Sequence, residues 1–178
     1  MVGVLIIGCG NPLRGDDGLA WHALAQLERE SGVQGTEMIS CHQLMPELAE
    51  HISGATRVIF IDARVSEGPG QPAGMIDVRA VEAASAASSP FGHHLDPSDL
   101  LGIASRLYGS RPEAFAASVV GESFDYSEEL SPPVRAALPE LVGRVVELVN
   151  GSGEDIESRE TKPESALEST VTMSGSRP

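Results

Sequence analysis

Three side chains that lie far apart in the sequence share the chemistry of a cation site. Asp17 stands in "GCGNPLRGDDG" at residues 8–18, Asp62 near the end of the apolar run "RVIFIDA" at 57–63, and His93 or His94 in "EAASAASSPFGHHLD" at 82–96. Two carboxylates and an imidazole are donors for a borderline divalent ion such as Zn²⁺ or Ni²⁺, and three protein ligands leave positions open to a substrate. The first stretch also argues against a different guest. A dinucleotide loop reads G-x-G-x-x-G, so that amides and a helix N-terminus surround a pyrophosphate. Here Leu13 takes the third glycine position and two aspartates would repel an anion. Each residue also has a plainer use. Asp16 is placed to cap the following helix, Asp62 to solvate a strand terminus, and a loop histidine to stand in solvent. It is the combination of three that points to a site.

Such residues meet only if the chain folds their loops onto one edge. "VGVLIIG", "TEMIS", "RVIFIDA" and "EAFAASVVGES" read as strands, and "AGMIDVRAV" as an edge strand. Between them, "DDGLAWHALAQLERES" places Leu19, Ala23, Leu24 and Leu27 at helical spacing, "MPELAEHIS" reads as a short helix, and "SPPVRAALPELVGRVVELV" as a last amphipathic helix. In "DPSDLLGIASRLYG", Asp96 is a predicted N-cap and Pro97 the first helical residue. The alternation predicts an α/β fold, a three-layer, doubly wound, mostly parallel twisted sheet with helices on both faces. Ligands of such sheets gather outside the carboxyl ends of the strands, where Asp17, Asp62 and the histidine loop all fall. The folded domain is expected over residues 1–150. Residues 151–178, rich in Ser, Glu, Gly and Pro without an apolar period, are expected to form a disordered acidic tail.

The formal charge of −14 over 178 residues argues against nucleic acid or an anionic membrane as partner. The first apolar stretch breaks at a glycine turn far short of the roughly 20 residues that span a bilayer. Cys9 and Cys41, the two cysteines, are too few for a disulfide framework and form no C-x-x-C pair, so a cytoplasmic protein is expected. No histidine is fixed beside Cys9 by sequence, so it reads as a small buried residue, and no G-x-S-x-G elbow supports a serine hydrolase. Leu13 is expected to pack beneath the first turn, Trp21 to fill space on the first helix, and His22 to lie at the surface.

"GCGNPLRGDDG", followed in order by "HQLMPELAE", "RVIFIDA" and "HHLDPSDLL", resembles the nickel-iron hydrogenase maturation endopeptidases over about residues 2–150. The first stretch fits that family's pattern G-x-G-N-x-L-x-x-D-D/E-G, with Ala20 in place of a glycine that follows it, a departure that bears on helix packing more than on the site. The resemblance implies that Asp17, Asp62 and His93 bind metal and carry catalysis. It implies removal of a C-terminal extension from the hydrogenase large-subunit precursor after nickel insertion. The nickel would be contributed by that precursor and no organic cofactor is implied. Water attacking a nickel-polarised carbonyl, with Asp17 or Asp62 as base, is a chemically reasonable route. His42 and Gln43, after the second strand, are candidate substrate contacts. Two other classes compete: a non-enzymatic nickel-binding accessory protein using the same ligands, and a nucleotide-binding Rossmann protein.

Overall fold

Strands β1 (Val2–Cys9), β2 (Glu37–Cys41), β3 (Ala55–Arg64), β4 (Ile76–Ala80) and β5 (Glu113–Val120) form one sheet in the order β2-β1-β3-β5-β4. The protein is represented by a computed structural model that describes residues 2–84 and 95–151. His93, His94 and residues 152–178 lie outside the described residues. The pairs β1·β2, β1·β3 and β3·β5 are parallel, while β4 runs antiparallel to β5 at the sheet edge. Helices α1 (Leu19–Leu27) and α4 (Pro132–Val149) cover one face, and α2 (Leu48–Ser53) and α3 (Pro97–Tyr108) the other. This is the doubly wound, three-layer arrangement expected from the alternation of apolar runs.

The period of two along a strand sorts the side chains between the layers. Ile6, Ile59 and Ile61 pack with Leu19, Leu27, Leu141 and Leu148, whereas Leu5, Ile7, Val58 and Phe60 pack with Ile52, Leu100 and Leu101. Burial on both faces is why β1 and β3 are continuously apolar instead of alternating. Emptying such a position, as in Ile6→Ala, costs roughly 2–5 kcal/mol. Helix α1 lies directly on β1: a Cβ at Gly8 would come within 3.1 Å of the Ala20 methyl and 2.8 Å of Leu24 Cδ1.

The start of α3 is set locally. Asp99 N–H donates to Asp96 Oδ1 at 2.8 Å and Asp96 N–H to Asp99 Oδ2 at 3.4 Å, with Pro97 in the first turn and Gly109 ending the helix at φ 67°. Helix α1 begins differently from expectation. A 3-10 turn over Gly15–Gly18 precedes it and no side chain caps it, so Asp16 is not its N-cap. A capping residue is extended, and Asp16 lies inside that tight turn.

Candidate active site

The turn between β1 and α1 uses up its own donors. Backbone N–H groups donate from Gly10 to Cys41 O, Asn11 to Asp17 Oδ2, Leu13 to Asn11 Oδ1, Arg14 to Asn11 O, Gly15 to Ser127 O, Asp16 to Ser123 O, and Asp17 to Arg14 O. Pro12 has none to offer. With no amide of this turn left to hold a phosphate, the nucleotide-binding reading loses its physical basis. Gly10, at φ 136°, cannot carry a side chain, because a Cβ there would lie 1.9 Å from the Asp17 carbonyl oxygen. Leu13 does not pack beneath the turn; it is 42% exposed. The space there is closed by backbone, since a Cβ at Gly18 would meet Pro12 Cα at 3.1 Å.

The adjacent aspartates point to different surroundings. Asp16 is fully buried. Its Oδ2 accepts from Glu122 N–H at 2.7 Å, Ser123 N–H at 3.0 Å and Ser131 Oγ–H at 2.8 Å, and its Oδ1 from Ser131 N–H at 2.7 Å. Burial alone would push this carboxyl up, but the hydrogen bonds outweigh it and hold the group below its usual range. Asp16 thereby clasps the β5–α4 loop and the Ser131 N-cap of α4.

Asp17 is half-buried and accepts one hydrogen bond, from Asn11 N–H at 3.0 Å. Its side chain belongs to a cavity of about 290 Å³ that Asp62, Cys9, His42, Gln43 and Leu95 also line. The walls are the carboxyl ends of β1, β2 and β3 and the start of α3, the crevice that the α/β rule selects. No Lys or Arg is among the described residues lining it. Asp62 lies two residues inside the end of β3. Its side chain reaches solvent, yet the surrounding protein strips much of its hydration and pushes its carboxyl up to about 7. A hydrogen bond from the Ala63 backbone opposes that rise and the charge of Asp17 adds to it.

His42 and Gln43 are exposed at the cavity, and Trp21, expected only to fill space, braces it. The indole Nε1–H donates to Gly10 O at 2.9 Å, and the ring lies 5.7 Å from that of His42 with a 39° tilt. Its signal in the sequence was a Trp on the helix just after the acidic turn, since a buried indole N–H seeks an acceptor. His22 is exposed, as expected. Among the described residues, no three His, Cys, Asp or Glu side chains are grouped to hold a metal ion. The structure therefore brings Asp17 and Asp62 to one cavity with His42 and Gln43, while His93 lies outside the described residues. Among those residues, no helix is long and apolar enough to cross a membrane.

The mostly parallel α/β fold matches solved structures that bear the names of hydrogenase maturation endopeptidases. The hydrogenase maturating endopeptidase HybD from E. coli matches at a TM-score of 0.66 with 22% identity, over 85% of this chain and 94% of that one. The hydrogenase 2 maturation peptidase from Thaumarchaeota archaeon SCGC_AB-539-E09 matches at 0.62 with 26% identity, over 83% and 98%. The NiFe hydrogenase maturation protease HybD from Thermococcus kodakarensis matches at 0.64 with 23% identity, over 83% and 99%. No family model and no curated protein sequence matches the chain. The resemblance carried by the four sequence stretches is thus borne out in the fold.

Proposed function

We propose that this chain is an endopeptidase that removes the C-terminal extension from the large-subunit precursor of a nickel-iron hydrogenase after nickel insertion, with the inserted metal as its recognition signal. The observation that carries the reading is the pair Asp17 and Asp62, presented from the turn after β1 and from the end of β3 to one cavity whose described lining holds no cationic side chain. Such a concavity favours a cation. His93, two residues before Leu95 in the chain, is the proposed third donor. The nickel arrives with the substrate and retains ligands from it, so the protein needs to supply only a few donors.

Each carboxylate has two oxygens, and one can approach the metal while the other serves the chemistry. Asp62 is the better base of the two, because a carboxyl near neutrality can take a proton from water attacking the scissile carbonyl and return it to the leaving amine. His42 and Gln43 contact the substrate at the cavity mouth. The test is incubation with nickel-loaded and nickel-free precursor, read as a gel shift of the large subunit. Cleavage of the loaded form only is expected. Equal cleavage of both would remove nickel from the recognition step, and stoichiometric nickel binding without cleavage would favour an accessory protein.

A further inference from the structure

The chain has two cysteines, and the fold places them side by side, Cys9 at the cavity edge. Cys9 and Cys41 are register partners across the parallel β1·β2 pair, and their Sγ atoms lie 2.8 Å apart. Both are free and half-buried. Neighbouring strands are about 4.7–4.9 Å apart, inside the Cα separation of roughly 4.4–6.8 Å that a disulfide spans. Cys9 lines the cavity with Asp17 and Asp62, and Cys41, half-buried beside it, keeps its own partial access to solvent. None of the peptidase roles above uses either thiol.

We propose that Cys9 and Cys41 are a modification site, a dithiol that hydrogen peroxide converts to an intramolecular disulfide, tying the turn that seats Asp17 to the loop that carries His42 and Gln43. In the first step the Cys41 sulfur, as thiolate, attacks one peroxide oxygen. The S–O bond forms, the O–O bond breaks, and the departing hydroxide takes up a proton as water, leaving a sulfenic acid on Cys41. In the second step the Cys9 sulfur attacks the Cys41 sulfur. The S–S bond forms, the S–O bond breaks, and the departing hydroxide leaves as water with the Cys9 proton. Two thiols lose two electrons in all, and one peroxide is reduced to two waters. Cys41 is the attacking group because the hydrogen bond from Cys9 lowers its thiol below the ordinary value. The same contact, burial and the nearby charges of Asp62 and Asp17 push the Cys9 thiol up, so it retains its proton. The new bond reinforces a seam already held by the Gly10 N–H to Cys41 O hydrogen bond at 3.0 Å.

The experiment treats the reduced full-length protein with hydrogen peroxide, then denatures it and alkylates the remaining thiols before intact-mass analysis. The expected result is a monomer lighter by two hydrogen atoms, a fall from two alkylatable thiols to none, and recovery of both after dithiothreitol. Checked for folding by circular dichroism, Cys9→Ser should gain oxygen at Cys41 and Cys41→Ser should keep its thiol largely unoxidised, and neither should lose hydrogen. Persistence of both thiols, oxygen gain by the wild type without hydrogen loss, or disulfide-linked dimers would each overturn the proposal. These readouts do not depend on peptidase activity.

Discussion

Asp16 and Asp17 are neighbours in one turn, yet the fold treats them as opposites. Asp16 is saturated: four fixed donors surround its two oxygens and water is excluded. Asp17 receives one backbone N–H and opens onto a cavity shared with Asp62. A carboxylate whose acceptor sites are filled by its own protein has little left for a guest, and its removal leaves several donors orphaned. A carboxylate with open acceptor sites contributes little to stability and keeps its capacity for a cation or a proton. Identical chemistry thus becomes structural in one residue and available for function in the next, according to how many donors the fold aims at it.

The strongest way to break this contrast is to neutralise the open side. Asp17→Asn, Asp62→Asn and His93→Gln should each lower processing of nickel-loaded precursor by roughly 100-fold or more, in the range for loss of a positioned acid–base group. The double variant of Asp17 and Asp62 should lose little beyond either single one, as for residues acting as a unit. Full cleavage by Asp62→Asn would sink the assignment. On the saturated side, Asp16→Asn should lower unfolding free energy by about 2–3 kcal/mol, because an amide turns N–H groups toward backbone donors. Asp17→Asn should stay within about 0.5 kcal/mol of wild type in the same urea titration. Equal stability of the two variants would erase the distinction.

Acidity separates the carboxylates further. Asp16 is held below the 3.8 of its unfolded reference, so its stabilising contribution is complete above that value and is lost as pH falls through the folded value. The gap in melting temperature between wild type and Asp16→Asn should therefore close in acid. Asp62 has the opposite sign. With 3.8 in the unfolded chain and about 7 in the fold, its ionisation carries no folding penalty below 3.8, a growing one between these values, and the full one above about 7. Without substrate, Asp62→Asn should melt like wild type at the acid end and slightly above it on the alkaline side. A pH-independent difference would show that the Asp62 carboxyl is not raised. A modest effect belongs to the brace: Trp21→Phe keeps an aromatic ring but loses the hydrogen bond to Gly10 O, a change of about 1 kcal/mol read in the urea titration.

Much of the scaffold was legible along the chain because its causes are local or periodic. Strands buried on both faces must be continuously apolar, which marked β1 and β3. Asp96, Pro97 and Asp99 are within one helical turn, so the start of α3 could be read directly. Leu13 misled because apolar character alone does not reveal that the Pro12 and Gly18 backbones already close the space under the turn. Trp21 was visible as a residue, but its acceptor on Gly10 follows from how α1 lies across β1.

The sequence by itself determined that two carboxylates would stand at strand ends on the carboxyl edge of a parallel sheet, since apolar periodicity dictates the strands and their order along the chain dictates the loops. It set Asp17 at the site and Asp16 aside as a helix cap, but it could not say what would hold Asp16. That was decided by donors on Glu122, Ser123 and Ser131, between 106 and 115 residues away, which reach Asp16 only after β5 and α4 have packed. The meeting of Cys9 with Cys41 was decided in the same way. Their contact follows from β2 lying beside β1 in register, and no spacing in the chain encodes the order of strands in a sheet. Hydrogen-bond saturation and strand register are long-range properties, so the division of labour between two adjacent aspartates exists only in the folded molecule.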